Sequence, residues 1–143
     1  MKKRRTLMRA IAKVRRAWKS YVRELTLAEG IPDAYRTVLL FLVWHPGANQ
    51  RNIAEFADIT TSAINQAVKN MLEEGYLRKE VDSSDKRNTK LYLTEKGANV
   101  AEKLLQKMDT SDDAITAMVG KEREDELIAF LEQLADFIRK DLS

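Results

Sequence analysis

Ser62, Asn65, Gln66 and Lys69 fall at i, i+3, i+4 and i+7, so on a helix they share one face. These side chains suit the DNA major groove. Asn and Gln can make paired hydrogen bonds to adenine, Ser can donate or accept, and Lys reaches guanine or phosphate. Thr60, Thr61 and Ser62 open the same segment, where free backbone N–H groups can bind phosphate. No acidic residue lies between Asp58 and Glu73, and a carboxylate there would repel phosphates. Ile64, Val68, Met71 and Leu72 form the opposite, apolar stripe. Further along, Asp82-Ser83-Ser84-Asp85-Lys86-Arg87-Asn88 is a polar loop, with Lys90 beyond it. Arginine on such a loop can enter the narrow, negative minor groove. Asp85 would be costly against DNA, so its expected use is internal: a charge-assisted hydrogen bond that holds the loop, through Arg87 or Arg78. Taken alone, each segment also reads as a solvated helix or an ordinary charged turn. Adjacent and in this order, they describe a groove-reading helix followed by a basic wing.

Other chemistries find little support. The chain has no cysteine and a single histidine, His45, which excludes thiolate zinc sites, disulfides and any site needing two histidines. There is no glycine-rich phosphate loop, no nucleophile paired with a base and no metal-ligand spacing, so neither an enzyme nor a cofactor is expected. Glu73-Glu74 and Asp112-Asp113 are neighbours whose side chains diverge on a helix. Trp18, Tyr35 and Arg36 are the residues that could line a small-molecule pocket, although aromatics at helical spacing more often build core.

The elements that must position these groups follow from periodicity. With 143 residues, five glycines and two prolines, the chain reads as one mostly helical domain with helical extensions. Leu7, Ile11, Val14, Trp18, Tyr21 and Leu25 form an a/d seam over 5–28, closed by Gly30. A second helix, about 33–45, is apolar nearly all round and should be buried. A short helix follows Asn49, and a turn at Asp58-Ile59-Thr60 leads into the helix 61–74, which stops at Gly75. Tyr76–Val81 and Leu91–Leu93 read as strands of one hairpin, with the wing at 82–90. A helix from Thr94 should end near Asp109, with a break at Thr110–Asp113. A last helix, 121–141, carries a seam of Leu127, Leu131, Leu134 and Ile138.

Residues 1–30 carry ten basic and two acidic side chains; residues 95–143 carry seven basic and twelve acidic. The opposite ends either meet, within a chain or across two, or are simply solvated faces. Residues 2–5 could also contact phosphates. The two terminal seams are too long for one small domain to cover, and a second copy is the simplest partner. The longest uncharged apolar run, 38–44, is far short of a membrane span, and the N-terminus reads as structure in a cytoplasmic protein.

Ile53-Ala54, Thr61-Ser62-Ala63-Ile64, Leu72-Glu73-Glu74-Gly75-Tyr76-Leu77, Asp82-Ser83-Ser84-Asp85-Lys86-Arg87 and Leu91-Tyr92-Leu93-Thr94-Glu95-Lys96-Gly97 together resemble the multiple-antibiotic-resistance regulator (MarR) family. The resemblance is specific over about 31–97. It implies a mainly α fold with one small β-hairpin: a winged helix-turn-helix at 31–97, flanked by dimerisation helices at 1–30 and 98–143. It further implies a homodimer that binds double-stranded DNA as a repressor and releases it on binding a small aromatic or phenolic effector. The DNA-binding residues would be Thr61, Ser62, Asn65, Gln66, Lys69, Lys86, Arg87 and Lys90, with Asp85 stabilising the wing. The absence of cysteine separates the chain from oxidant-sensing members, and the single histidine from zinc-sensing ones. The competing reading is a helical interaction module that uses the winged shape to bind protein.

Overall fold

The computed structural model describes residues 4–57, 59–85 and 87–142. Helix α1 spans Leu7–Ala28 and is capped by Thr6, whose hydroxyl accepts from the Arg9 amide. Within the single chain its buried residues are Val22 and Thr26, and Leu7, Val14 and Tyr21 of the a/d seam are exposed. Thr26 satisfies its buried hydroxyl by donating to the Val22 carbonyl at 2.7 Å.

Helix α2, Asp33–Trp44, is the buried central element that its composition requires. Tyr35, Val38, Leu39, Phe41 and Leu42 all face the core. Helix α3, Gln50–Phe56, is short and starts with a reciprocal cap. The Asn49 side chain accepts from the Asn52 amide at 2.8 Å, and the Asn52 side chain accepts from the Asn49 amide at 3.0 Å.

Helix α4 runs from Thr61 to Glu73, with the Thr60 hydroxyl accepting from the Ala63 amide. Its end is a Schellman turn: the Gly75 amide donates to Leu72 O and the Tyr76 amide to Met71 O. Gly75 sits at φ 81°, a conformation that favours glycine. Ile64, Ala67, Val68 and Met71 are buried, and α4 packs on both α2 and α3.

Strands β1 (Leu77–Val81) and β2 (Thr89–Leu93) form an antiparallel hairpin, with Leu77 opposite Leu93 and Val81 opposite Thr89. The second edge of β2 is also used. Gly47 donates to Leu91 O at 2.8 Å, and the Leu91 amide donates to Ala48 O at 2.9 Å. The turn between α2 and α3 therefore covers β2 and fixes the root of the hairpin.

Helix α5 spans Glu95–Val119 and starts against the end of α4. The Thr94 hydroxyl donates to Gly75 O at 2.6 Å and accepts from the Gly97 amide at 3.1 Å. Lys96 donates to Glu74 O at 2.8 Å and lies over the Tyr76 ring. A Cβ on Gly97 would stand 2.1 Å from Tyr76 O, so only glycine fits this approach. Ala101 and Leu104 bury the inner face.

The break expected at Thr110–Asp113 does not occur; α5 is continuous there. The polar residues that suggested it are accommodated within the helix. The Ser111 hydroxyl donates to Lys107 O, and Thr116 Oγ1 lies 3.0 Å from Asp112 O. The chain turns instead at Gly120, φ 89°, and α6 follows as Lys121–Asp141.

Residues up to 106 form one compact unit and residues from 107 a second. In the second, Thr116 Oγ1 sits 2.8 Å from Glu124 Oε1, which links the end of α5 to α6. No residue of α6 is buried, and Leu127, Ile128, Phe130, Leu131, Phe137 and Ile138 are all exposed. Among the described residues, no helix is long and apolar enough to cross a membrane, and no group of His, Asp or Glu is arranged to hold a metal.

Candidate nucleic-acid interface

The inner face of α4 is fixed by core packing, and this turns the other face outward. Thr61, Ser62, Asn65, Gln66 and Lys69 are all exposed. The Gln66 amide donates to Asn70 Oδ1 at 2.9 Å, which lays it along the helix surface.

The hairpin loop is held by its own carboxylates. Asp82 accepts from the Ser84 amide at 2.9 Å and from the Ser84 hydroxyl at 2.7 Å. These bonds, the hydroxyl one first, hold the Asp82 carboxyl below the usual carboxylate range. Asp85 Oδ1 accepts from the Arg87 amide at 3.0 Å, and the Asn88 amide donates to Asp85 O at 3.0 Å. The Asp85 partner is thus the Arg87 backbone. Arg78 has other partners: it donates to Glu80 at 2.6 Å, and its guanidinium carbon lies 4.4 Å from the Tyr92 ring centroid. The Arg87 side chain remains exposed. Lys90 is exposed on β2, paired in register with Glu80. Lys86 lies outside the described residues, as do Asp58 and residues 2 and 3 of the basic N-terminus.

Between α4 and the loop lies an open groove of about 930 Å3. Its walls include Thr61 and Asn65 from α4, Asp85, Arg87 and Asn88 from the hairpin, and Asn49, Gln50 and Arg51 from the start of α3. The structure therefore brings Thr61, Asn65 and Arg87 to one groove, with Ser62, Gln66 and Lys69 continuing the exposed surface of α4. The α3 wall was not foreseen. Asn49 reads in sequence as a cap, yet its Nδ2 also donates to Asn88 Oδ1 at 3.2 Å. Arg51 pairs with Glu55 at 3.2 Å and stays largely exposed.

The suggested pocket residues have partners inside the chain. The Tyr35 hydroxyl donates to Glu74 Oε1 at 3.0 Å. Burial first, and then the Glu74 carboxylate, push its pKa up to about 12. Arg36 donates to the Asp33 carboxylate and to Thr26 Oγ1. Trp18 lies 5.7 Å from Tyr21, ring centre to ring centre.

A family model described as the MarR family matches residues 29–88, the stretch from the end of α1 through the hairpin loop. Over these residues the chain resembles the MarR family. The relatives it matches are described as transcriptional regulators and lie at 24–27% identity. A putative transcriptional regulatory protein for the hcr operon of Thauera aromatica is 24% identical over 118 residues, 82% of this chain and 71% of that one. The transcriptional regulator BilQ of Clostridium symbiosum is 26% identical over 106 residues, 74% of each chain. Among solved structures, the transcriptional regulator SlyA superposes with a TM-score of 0.80 at 22% identity, covering 96% of both chains. S. aureus MepR in a DNA complex superposes with a TM-score of 0.77 at 17% identity, covering 93% of this chain and 96% of that one. At such identities these superpositions establish the MarR winged-helix fold.

Proposed function

We propose that this protein is a MarR-family, sequence-specific repressor that reads the major groove with α4 and the minor groove with the loop 82–90. The observation that carries the reading is the shared groove: Thr61 and Asn65 on one side and Arg87 on the other. An exposed helix face without carboxylates and an exposed arginine on the neighbouring loop match the two adjacent grooves of a duplex. Asp82 and Asp85 do not oppose this, because their charge is directed at loop amides. The MepR–DNA complex lends the reading support by fold.

In this proposal residues 31–97 are the DNA-binding domain, and residues 1–30 and 98–143 join two copies. The exposed apolar side chains of α1 and α6 are what a second copy would cover. A homodimer places two α4 helices on half-sites about one helical turn apart. The protein acts in the cytoplasm, and a small aromatic or phenolic effector releases it from DNA.

The test is binding of the purified protein to the DNA upstream of its own gene, across a salt series, with random duplex as competitor. Tight, sequence-preferring binding that weakens by about 0.9 log units per log unit of salt for each neutralised phosphate supports the reading. Equal, weak binding to every duplex, or none at low salt, overturns it and favours a protein partner.

A further inference from the structure

A second groove, of about 480 Å3, shares no lining residue with the one between α4 and the loop. Its walls come from the end of α2, the base of the hairpin and the first turns of α5. Leu42, Val43, Leu93 and Leu105 make it mostly apolar, and Arg78, Tyr92 and Glu102 supply its polar groups. The volume falls within the range of small-molecule sites, about 300–1,000 Å3.

The charges at this groove are not equivalent. Arg78 is spent: one edge bonds Glu80 at 2.6 Å and its face covers the Tyr92 ring at 4.4 Å. Glu102 makes no hydrogen bond or ion pair among the described residues, and neither does the Tyr92 hydroxyl. Two free acceptors therefore border an apolar cavity whose one cation is already neutralised. An anionic ligand would have to displace Glu80 and face Glu102. A cationic one would find Glu102 and the Tyr92 hydroxyl ready to accept its N–H groups.

We infer that this groove binds a small hydrophobic amine, with its apolar body against Leu42, Val43, Leu93 and Leu105 and its ammonium on Glu102. This differs in place and in charge from the pocket first expected near Trp18, Tyr35 and Arg36. It also reaches the hairpin directly, because Arg78 and Tyr92 are register partners on β1 and β2. Occupancy bears on the strands that carry the loop 82–90. That regulatory consequence rests on the DNA-binding reading above; the binding itself does not.

The experiment is calorimetric titration of the DNA-free protein with 4-phenylbutylamine, 4-phenylbutanol and 4-phenylbutyrate at matched ionic strength. The amine is expected to bind more tightly than the alcohol, and the carboxylate least. Glu102→Gln should erase the preference for the amine over the alcohol, about fivefold for a pair open to solvent. Glu102→Lys should invert the preference toward the carboxylate. Glu102 is exposed, so neither change threatens the fold. No binding of the amine, no preference for it, or a preference unaltered by Glu102→Gln overturns the inference. Duplex affinity is then measured with and without saturating amine. A shift supports regulation through the hairpin. An unchanged affinity overturns that part alone, and failure to bind DNA without amine overturns the DNA-binding reading instead.

Discussion

Asn49 Nδ2 donates to Asn88 Oδ1 at 3.2 Å, so the residue that caps α3 also holds the loop of the hairpin. Asn88 in turn closes the loop, donating its amide to Asp85 O and accepting the Asp82 amide on its carbonyl. Arg87 lies between these anchored neighbours. Asn88→Ala should leave the fold intact, at a cost of about 1 kcal/mol for one neutral hydrogen bond. It should weaken duplex binding more than this loss of stability implies. Thermal melting and fluorescence anisotropy on the same samples check both, and unchanged DNA affinity would remove the loop-positioning role.

Asn65→Ala and Gln66→Ala should each cost about 1–3 kcal/mol of specific binding and relax preference at one or two base pairs. Binding to a panel of single-base operator variants reads this. Wild-type discrimination by both variants would show that α4 does not read bases.

Arg87→Ala should weaken binding to every duplex, most where the flanks are A·T-rich and the minor groove narrow. The salt slope should fall by about one. A loss confined to one base position would instead make Arg87 a base-reading residue.

The Tyr35–Glu74 bond predicts a pH dependence. Tyr35 is 3% exposed and its pKa is pushed up to about 12, above the ordinary value near 10. The folded state therefore favours the protonated phenol. Its contribution, on the order of 3 kcal/mol, is fully present below pH 10 and is lost as pH rises through 12. Urea unfolding of wild type and Tyr35→Phe between pH 9 and 12 isolates it. The difference in stability should narrow as pH rises, and a constant difference would contradict the assignment.

The exposed leucines of α6 predict how two copies hold together. Leu131→Asp should dissociate the proposed dimer, whereas high salt alone should leave it intact, because apolar packing is not screened. Sedimentation velocity checks both. A dimer that dissociates in salt would mean that the basic N-terminal and acidic C-terminal segments carry the association.

The legible parts of this fold were those governed by local chemistry. The stripe of Ile64, Val68 and Met71 set which way α4 faces, and Gly75 marked its end, because side-chain period and left-handed backbone are written in neighbouring residues. Thr110–Asp113 misled for the same reason: hydroxyl and carboxylate side chains favour caps, but Ser111 bonds its own helix, four residues back. On α1 the apolar seam was visible, yet the chain itself buries Val22 and Thr26 instead. The α3 wall of the groove could not be read, since Asn49 meets a partner 39 residues away. No local pattern records that pairing.

The junction of α4 and α5 has a mechanical consequence. Thr94 and Lys96 grip the carbonyls of Gly75 and Glu74, and Gly97 rests directly on Tyr76 O. For α4 to tilt away from the start of α5, these hydrogen bonds and that of the Thr94 amide to Tyr76 O would have to break and a backbone-to-backbone contact open. The two helices therefore behave as a welded elbow. A tilt of the first turns of α5 would tend to carry the end of α4 with it.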